Sequence, residues 1–254
     1  MKKYFYCYDI DIDVEPSDFT EEDVKECFKI IRDDYENEEE YDKAVEKAIA
    51  EAKKPYSTRC VNIEYERGDD IVGAILDTLT EETGYCINAF KYVPLNKWVQ
   101  KGNLIIDTDC NITVRDPGYD NSPWCSANLP VSAGKYKCMV KFTVAEGSLR
   151  VAEIQIKKVG ASGHLSLLDY IPVNAGLAGF FVNKPNFPDN EWMQLCNHIG
   201  ADRENKAWLF PFDKTPYENS LGFFSESGCG DGEYPVYAHF DKNGKANTIR
   251  IKFI

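Results

Sequence analysis

Tyr234-Pro235-Val236-Tyr237-Ala238-His239-Phe240-Asp241-Lys242-Asn243-Gly244-Lys245-Ala246-Asn247-Thr248-Ile249-Arg250-Ile251-Lys252-Phe253 decides the class of the C-terminal part of this chain. Two runs rich in β-branched and aromatic residues flank Asn243-Gly244, the dipeptide that most favours a tight hairpin because both residues tolerate positive φ. Working back from this hairpin, similar short runs occur at 104–106, 111–114, 134–144, 149–157, 167–172, 179–182 and 221–225, separated by Gly, Pro, Asn and Asp. Only 189–198 carries helical spacing here. Many strands with close turns predict a mostly antiparallel β-sandwich or partly closed barrel over residues 99–254.

The first 98 residues read differently. Tyr4 to Val14 ends in strict alternation, with Asp9, Asp11 and Asp13 on one face of a strand and Ile10, Ile12 and Val14 on the other. Ser17 to Asp23 supplies a hydroxyl cap and first-turn acids, followed by Val24, Cys27, Phe28 and Ile31 at helical spacing. A second helix fits 38–53, where Tyr41, Val45, Ile49 and Ala52 form an apolar stripe that Pro55 ends. Cys60 to Glu66 alternates as a strand. Asp70 then opens a helix with Ile71, Ile75 and Leu79, Gly84 stops it, and Tyr85 to Val93 is a further strand. The expectation is an α+β chain: a β-α-α-β-α-β layer domain over 1–98, then the β-rich domain.

Charge separates the two halves. Net charge is −13, and residues 1–98 carry 25 Asp and Glu against 13 Lys and Arg, a net of −12. That field repels phosphate backbones and anionic lipid, so neither nucleic acid nor membrane is expected at the acidic domain, whereas a basic protein is. The apolar run of the basic start, Met1-Lys2-Lys3, is cut short by Asp9, and no apolar stretch approaches the ~20 residues that span a bilayer. Nine cysteines, none at Cys-x-x-Cys spacing, speak against a disulfide framework or zinc ribbon. A reducing, cytoplasmic location is expected.

Three groups of residues stand out in the second half: Val114-Arg115-Asp116-Pro117-Gly118-Tyr119 with Trp124-Cys125; Gly134-Lys135-Tyr136 with Arg150-Val151-Ala152-Glu153-Ile154; and Ala175-Gly176-Leu177-Ala178-Gly179-Phe180-Phe181 with Ser227-Gly228-Cys229-Gly230-Asp231-Gly232-Glu233-Tyr234-Pro235. In order and spacing, residues 104–254 resemble domain-of-unknown-function family 4241, found in bacteria and phages. The resemblance implies a β-rich fold and a bacterial or phage-related origin, and it brings no activity with it. One departure is Cys229, where such sequences commonly carry an aromatic before Gly-Asp-Gly.

Calcium-loop spacing fails at both acid clusters. Asp9-x-Asp11-x-Asp13 puts Val14 and Thr20 where Gly and Glu are needed, and Asp107-x-Asp109-x-Asn111 puts Ile112 and Gly118 there. A carboxylate site of other geometry at Asp9, Asp11, Asp13, Asp107 and Asp109 stays open. A Cys229–His239 thiolate pair is a further candidate. Phosphate-binding loops and a serine elbow are missing, and no cofactor is expected.

Three functional readings follow. The first is an interaction module acting in bacterial or phage conflict, with Asp9, Asp11, Asp13, Glu38, Glu39 and Glu40 meeting a basic protein. The second is an enzyme, hydrolase-like or metal-dependent, with Asp116, Tyr119, Arg150, Asp231 and Tyr234 converging on one cleft. In the third, the motifs serve the fold alone.

Overall fold

The computed structural model describes residues 2–14, 18–35, 37–64, 70–118, 126–182, 189–202, 205–210 and 221–254. It divides into two units, Met1–Leu95 and Asn96–Ile254. Among the described residues no helix is long and apolar enough to cross a membrane.

In the first unit, β1 (Lys2–Ile12) runs between β2 (Thr58–Glu64) and β3 (Ile87–Pro94), antiparallel to both. Helices α2 (Glu38–Lys53) and α3 (Ile71–Thr83) supply apolar side chains to one core with this sheet. Local chemistry explains both helices. Asn37 accepts from the Glu40 amide at 3.0 Å, and Tyr41, Val45 and Ile49 are buried at successive four-residue steps. Asp70 accepts from the Val72 amide at 3.0 Å, and Gly84 ends α3 at φ 76°.

The first helix departs from expectation. Thr20 caps it reciprocally with Asp23, but the α-helical part, α1, is only Glu21–Asp23. It passes into a π-helical turn, Val24–Phe28, and Lys29 at φ 60° ends it. The β-branched Ile31 that follows is extended and 43% exposed, so it does not continue the stripe.

The alternation of β1 conceals a change of phase. Phe5 and Cys7 are buried at odd positions, and Ile10, Ile12 and Val14 at even ones. The change occurs at Asp9, which has φ 50°, where the pairing jumps from Tyr8↔Lys91 to Asp11↔Ala89. One extra residue on β1 makes this a β-bulge. The opposite face of the strand carries Tyr6 and Tyr8, stacked at 6.3 Å.

The second unit holds two open antiparallel sheets. One has the order β4 (Trp98–Ile106), β7 (Gly134–Ala145), β8 (Ser148–Lys158), β14 (Ala246–Lys252), β13 (Gly232–Phe240), β9 (Ser166–Val173). The other runs β11 (Ala207–Phe210), β12 (Leu221–Glu226), β10 (Leu177–Val182), β5 (Cys110–Arg115), β6 (Ser126–Val131). They pack as a sandwich, and neither closes into a barrel. Trp98 opens β4, opposite Lys141. The segment β6 escapes sequence reading because Pro130 interrupts it, and an edge position tolerates the missing donor.

Every residue of β10 is buried. Its Phe181 lies opposite Gly222 and its Gly179 opposite Phe224, so the two rings stack at 6.1 Å over a surface cleared by glycine. A β-carbon on Gly179 would collide with Phe224. Helix α4 (Asp189–Ala201) covers this surface with Leu195, and Trp208 completes the layer by stacking on Phe224 at 5.5 Å.

The bulge yields a stability prediction. Asp9→Gly should leave stability within a few tenths of a kcal/mol, since the Asp9–Lys91 ion pair is exposed. Asp9→Val should cost about 1–2 kcal/mol, because a β-branched residue tolerates positive φ poorly. Urea unfolding of the three proteins measures the difference.

Candidate functional site

The Asp-Pro-Gly, Ala-Gly-Leu and Gly-Asp-Gly segments meet at one end of the sandwich. Asp116, fully buried just past β5, accepts from the amides of Asn174 at 2.8 Å and Ala175 at 2.7 Å with one oxygen, and from Gly118 at 2.7 Å with the other. It thereby fastens the turn preceding β10. The Ser227 amide donates to the Gly176 carbonyl at 2.9 Å. The Ser227 hydroxyl at 2.6 Å and the Tyr234 hydroxyl at 2.7 Å both donate to the Gly230 carbonyl. Gly228, at φ 65°, passes so close to Val151 and Phe253 that an added β-carbon would lie 2.8 Å from each. No other residue fits there.

These turns form one wall of a cleft of about 630 Å³. Trp192, Cys196, Ile199 and Gly200, at helical spacing on α4, form the facing wall. Lys206 and Glu226, paired at 2.9 Å, and Arg150 complete the lining. The Arg150 guanidinium lies 3.9 Å from Glu146, at the edge of ion-pair range, and its buried Nε has no hydrogen-bond partner among the described residues. Burial pushes the Cys196 thiol up, which keeps it from being a ready thiolate.

Of the five residues expected to converge, Arg150 lines the cleft, and Asp116 and Tyr234 brace its walls. Burial raises the Tyr234 phenol. Asp231 is exposed on the turn that carries the chain from β12 in one sheet to β13 in the other, and Tyr119 lies outside the described residues. No matching family model, curated protein or solved structure is found for this chain.

The other candidates are dispersed. Cys229 precedes β13 whereas His239 is near its far end, roughly 23 Å away at strand rise, so they form no dyad. His239 instead faces Asn247 at 2.7 Å. Asp109 accepts from the Ala133 amide at 2.8 Å and pairs with Lys245, which holds its carboxyl below the usual range. Asp107 is exposed nearby. Asp9 pairs with Lys91 at 2.9 Å, Asp13 accepts from Asn88 at 3.5 Å, and Asp11 is exposed. Among the described residues no three His, Cys, Asp or Glu side chains gather as a metal site would require.

In the first unit, Asp11 and Asp13 point away from the core onto which α2 packs, so the expected acidic residues do not share one surface. Glu39 is paired with Lys43 on α2 itself and Glu40 is exposed in its first turn. Glu38, however, borders a groove between α1, its π turn and α2. Two adjoining hollows of about 500 and 440 Å³ share Glu21 and Tyr41. Phe19, Val24, Ile30, Ile31, Tyr41 and Val45 give them apolar surface; Glu21, Glu22, Glu26, Asp33, Glu38, Asp42 and Glu46 give them carboxylates, against Lys25 and Arg32. Glu38 apart, these groove acids are absent from the sequence-based selection. The available signal was the acidic bias of the first 98 residues; Ile31 gave none, because its spacing from Val24 and Phe28 reads as the continuation of a helical stripe.

Two measurements test this description. Asp116→Ala leaves three backbone donors without their acceptor and should destabilise the second unit by roughly 3 kcal/mol or more, read by denaturant unfolding. Native alkylation at pH 8 followed by peptide mapping should label exposed Cys60, Cys86 and Cys229 first. Cys7 and Cys138, each pushed up to about 12 by burial, should react only after unfolding.

Proposed function

We propose that this chain is an interaction protein whose N-terminal unit receives a basic, partly apolar segment of another protein in the groove beside α2. The observation that carries this reading is the combination of carboxylates with apolar side chains that water reaches, Ile31 above all. Charge alone would give a solvated surface. Apolar floor beneath charge gives a place where a partner buries side chains and is steered by the field.

The groove's own residues illustrate the chemistry. Arg32 pairs with Glu38 while its guanidinium lies 4.9 Å over the Tyr41 ring. A partner's arginine or lysine would find the same two elements, an aromatic face and a carboxylate, in this groove. Phosphate backbones would be repelled. In the bacterial or phage setting that the family resemblance implies, such a protein acts by occupying the basic surface of its partner.

A fluorescent peptide of alternating Arg and Leu, titrated by anisotropy, is the direct probe. It should bind the intact chain and weaken as salt rises. Glu22→Lys with Glu26→Lys should cost about tenfold in affinity, the loss of one or two rim charges at about 1 kcal/mol each, and Ile31→Ser should cost a similar amount. Asp11→Lys with Asp13→Lys should cost much less. If the Asp11/Asp13 reversal weakens binding as strongly, or if Ile31→Ser has no effect, the groove is not the docking site.

A further inference from the structure

The cleft of the second unit has the opposite electrostatic character from the rest of the molecule. Its charged lining is Arg150, Lys206 and Glu226, one positive charge in excess, within a chain of net charge −13. Lys206 is engaged by Glu226 at 2.9 Å. Arg150 is held more loosely, with only the exposed Glu146 carboxylate beside it at 3.9 Å. The Arg150 side chain is 35% exposed and lines the cleft, so a carboxylate that enters can reach it. Arginine also offers its donors as a planar fork that matches a carboxylate, which a lysine cannot.

The facing wall asks for something different. Trp192 and Ile199 are apolar, as is Leu177 across from them, and the volume of about 630 Å³ falls within the range of small-molecule sites. The polar group is therefore at one side and the apolar surface at the other. The wall of turns opposite is firmly set: Asp116 fixes Ala175 at 2.7 Å, and the Ser227 amide fixes Gly176 at 2.9 Å. A site whose walls are held by buried hydrogen bonds needs little ordering when a ligand enters.

We propose that this cleft binds a small carboxylate with an apolar, planar body, the carboxylate on the Arg150 guanidinium and the body against Trp192 and Ile199. The site is independent of the groove in the first unit. A single negative charge on the ligand matches the single excess positive charge of the lining.

Gly200 provides a control built into the cleft. It lies inside α4 at ordinary helical backbone, and a β-carbon placed on it meets nothing within 4 Å among the described residues. Gly200→Leu therefore starts a side chain in open space at the cleft wall, and a helix former in place of glycine favours the helix.

The test is calorimetric titration of the full chain with 2-naphthoate, its neutral counterpart 2-naphthamide, and inorganic phosphate. Naphthoate should bind, with naphthamide at least about tenfold weaker, the size expected for losing one charge-assisted pair. Arg150→Gln should bring naphthoate down to the naphthamide level. Gly200→Leu should remove binding of both while its Tm stays equal to or above that of the parent. This variant also decides the matter if Arg150→Gln fails to fold. The proposal falls if naphthoate does not bind, if acid and amide bind alike, or if Gly200→Leu binds as the parent does. Phosphate binding as tight as naphthoate would equally overturn it, since the apolar body would then contribute nothing.

Discussion

A strand with no side chain for water must be covered on both faces, and β10 is such a strand. One side is met by the six-stranded sheet. The other is met by α4, and only because Gly179 and Gly222 clear space for Phe224 and Phe181 to lie flat. This covering has a geometric limit at the start of β10. There the stripe of Trp192, Cys196, Ile199 and Gly200 faces the Gly176 turn across open volume, and the cleft lies at that edge.

The two units solve opposite problems of charge. The first exposes carboxylates around apolar side chains, and its stability comes from a sheet and two helices with capped ends. The second buries a carboxylate, Asp116, and satisfies it with three backbone amides instead of a cation. A buried carboxylate so bonded is costly to replace and poorly placed to exchange protons with a substrate. Its place in the Asp-Pro-Gly segment follows from that constructional task.

Legibility in the sequence varied with the range of the cause. Both long helices could be read because Asn37, Asp70 and Gly84 sit next to the stripes they delimit. The final hairpin was visible for the same reason, since Gly244 at φ 73° and the Asp241 carboxylate act within five residues. The bulge at Asp9 was hidden because residues 10–14 alternate perfectly in themselves; only the pairing with β3 reveals that they are out of phase with Phe5 and Cys7. The strand β11 was missed because four residues at a sheet edge carry too little pattern. Arg150 stood out through its motif, whereas Trp192 and Gly200 join it only through the packing of α4, a contact that sequence spacing does not encode.

The Gly230 carbonyl accepts the hydroxyls of both Ser227 and Tyr234, which uses both of its lone pairs. The bend between β12 and β13 is thus tied from its two ends inward, and Cys229 at its tip is exposed and bears none of the load. Residue 229 is accordingly the point where this sheet-to-sheet connection can change chemistry without changing shape. An aromatic there and a cysteine there would present different surfaces on the same frame, so variation at that position reports on what the tip meets and not on how the chain folds.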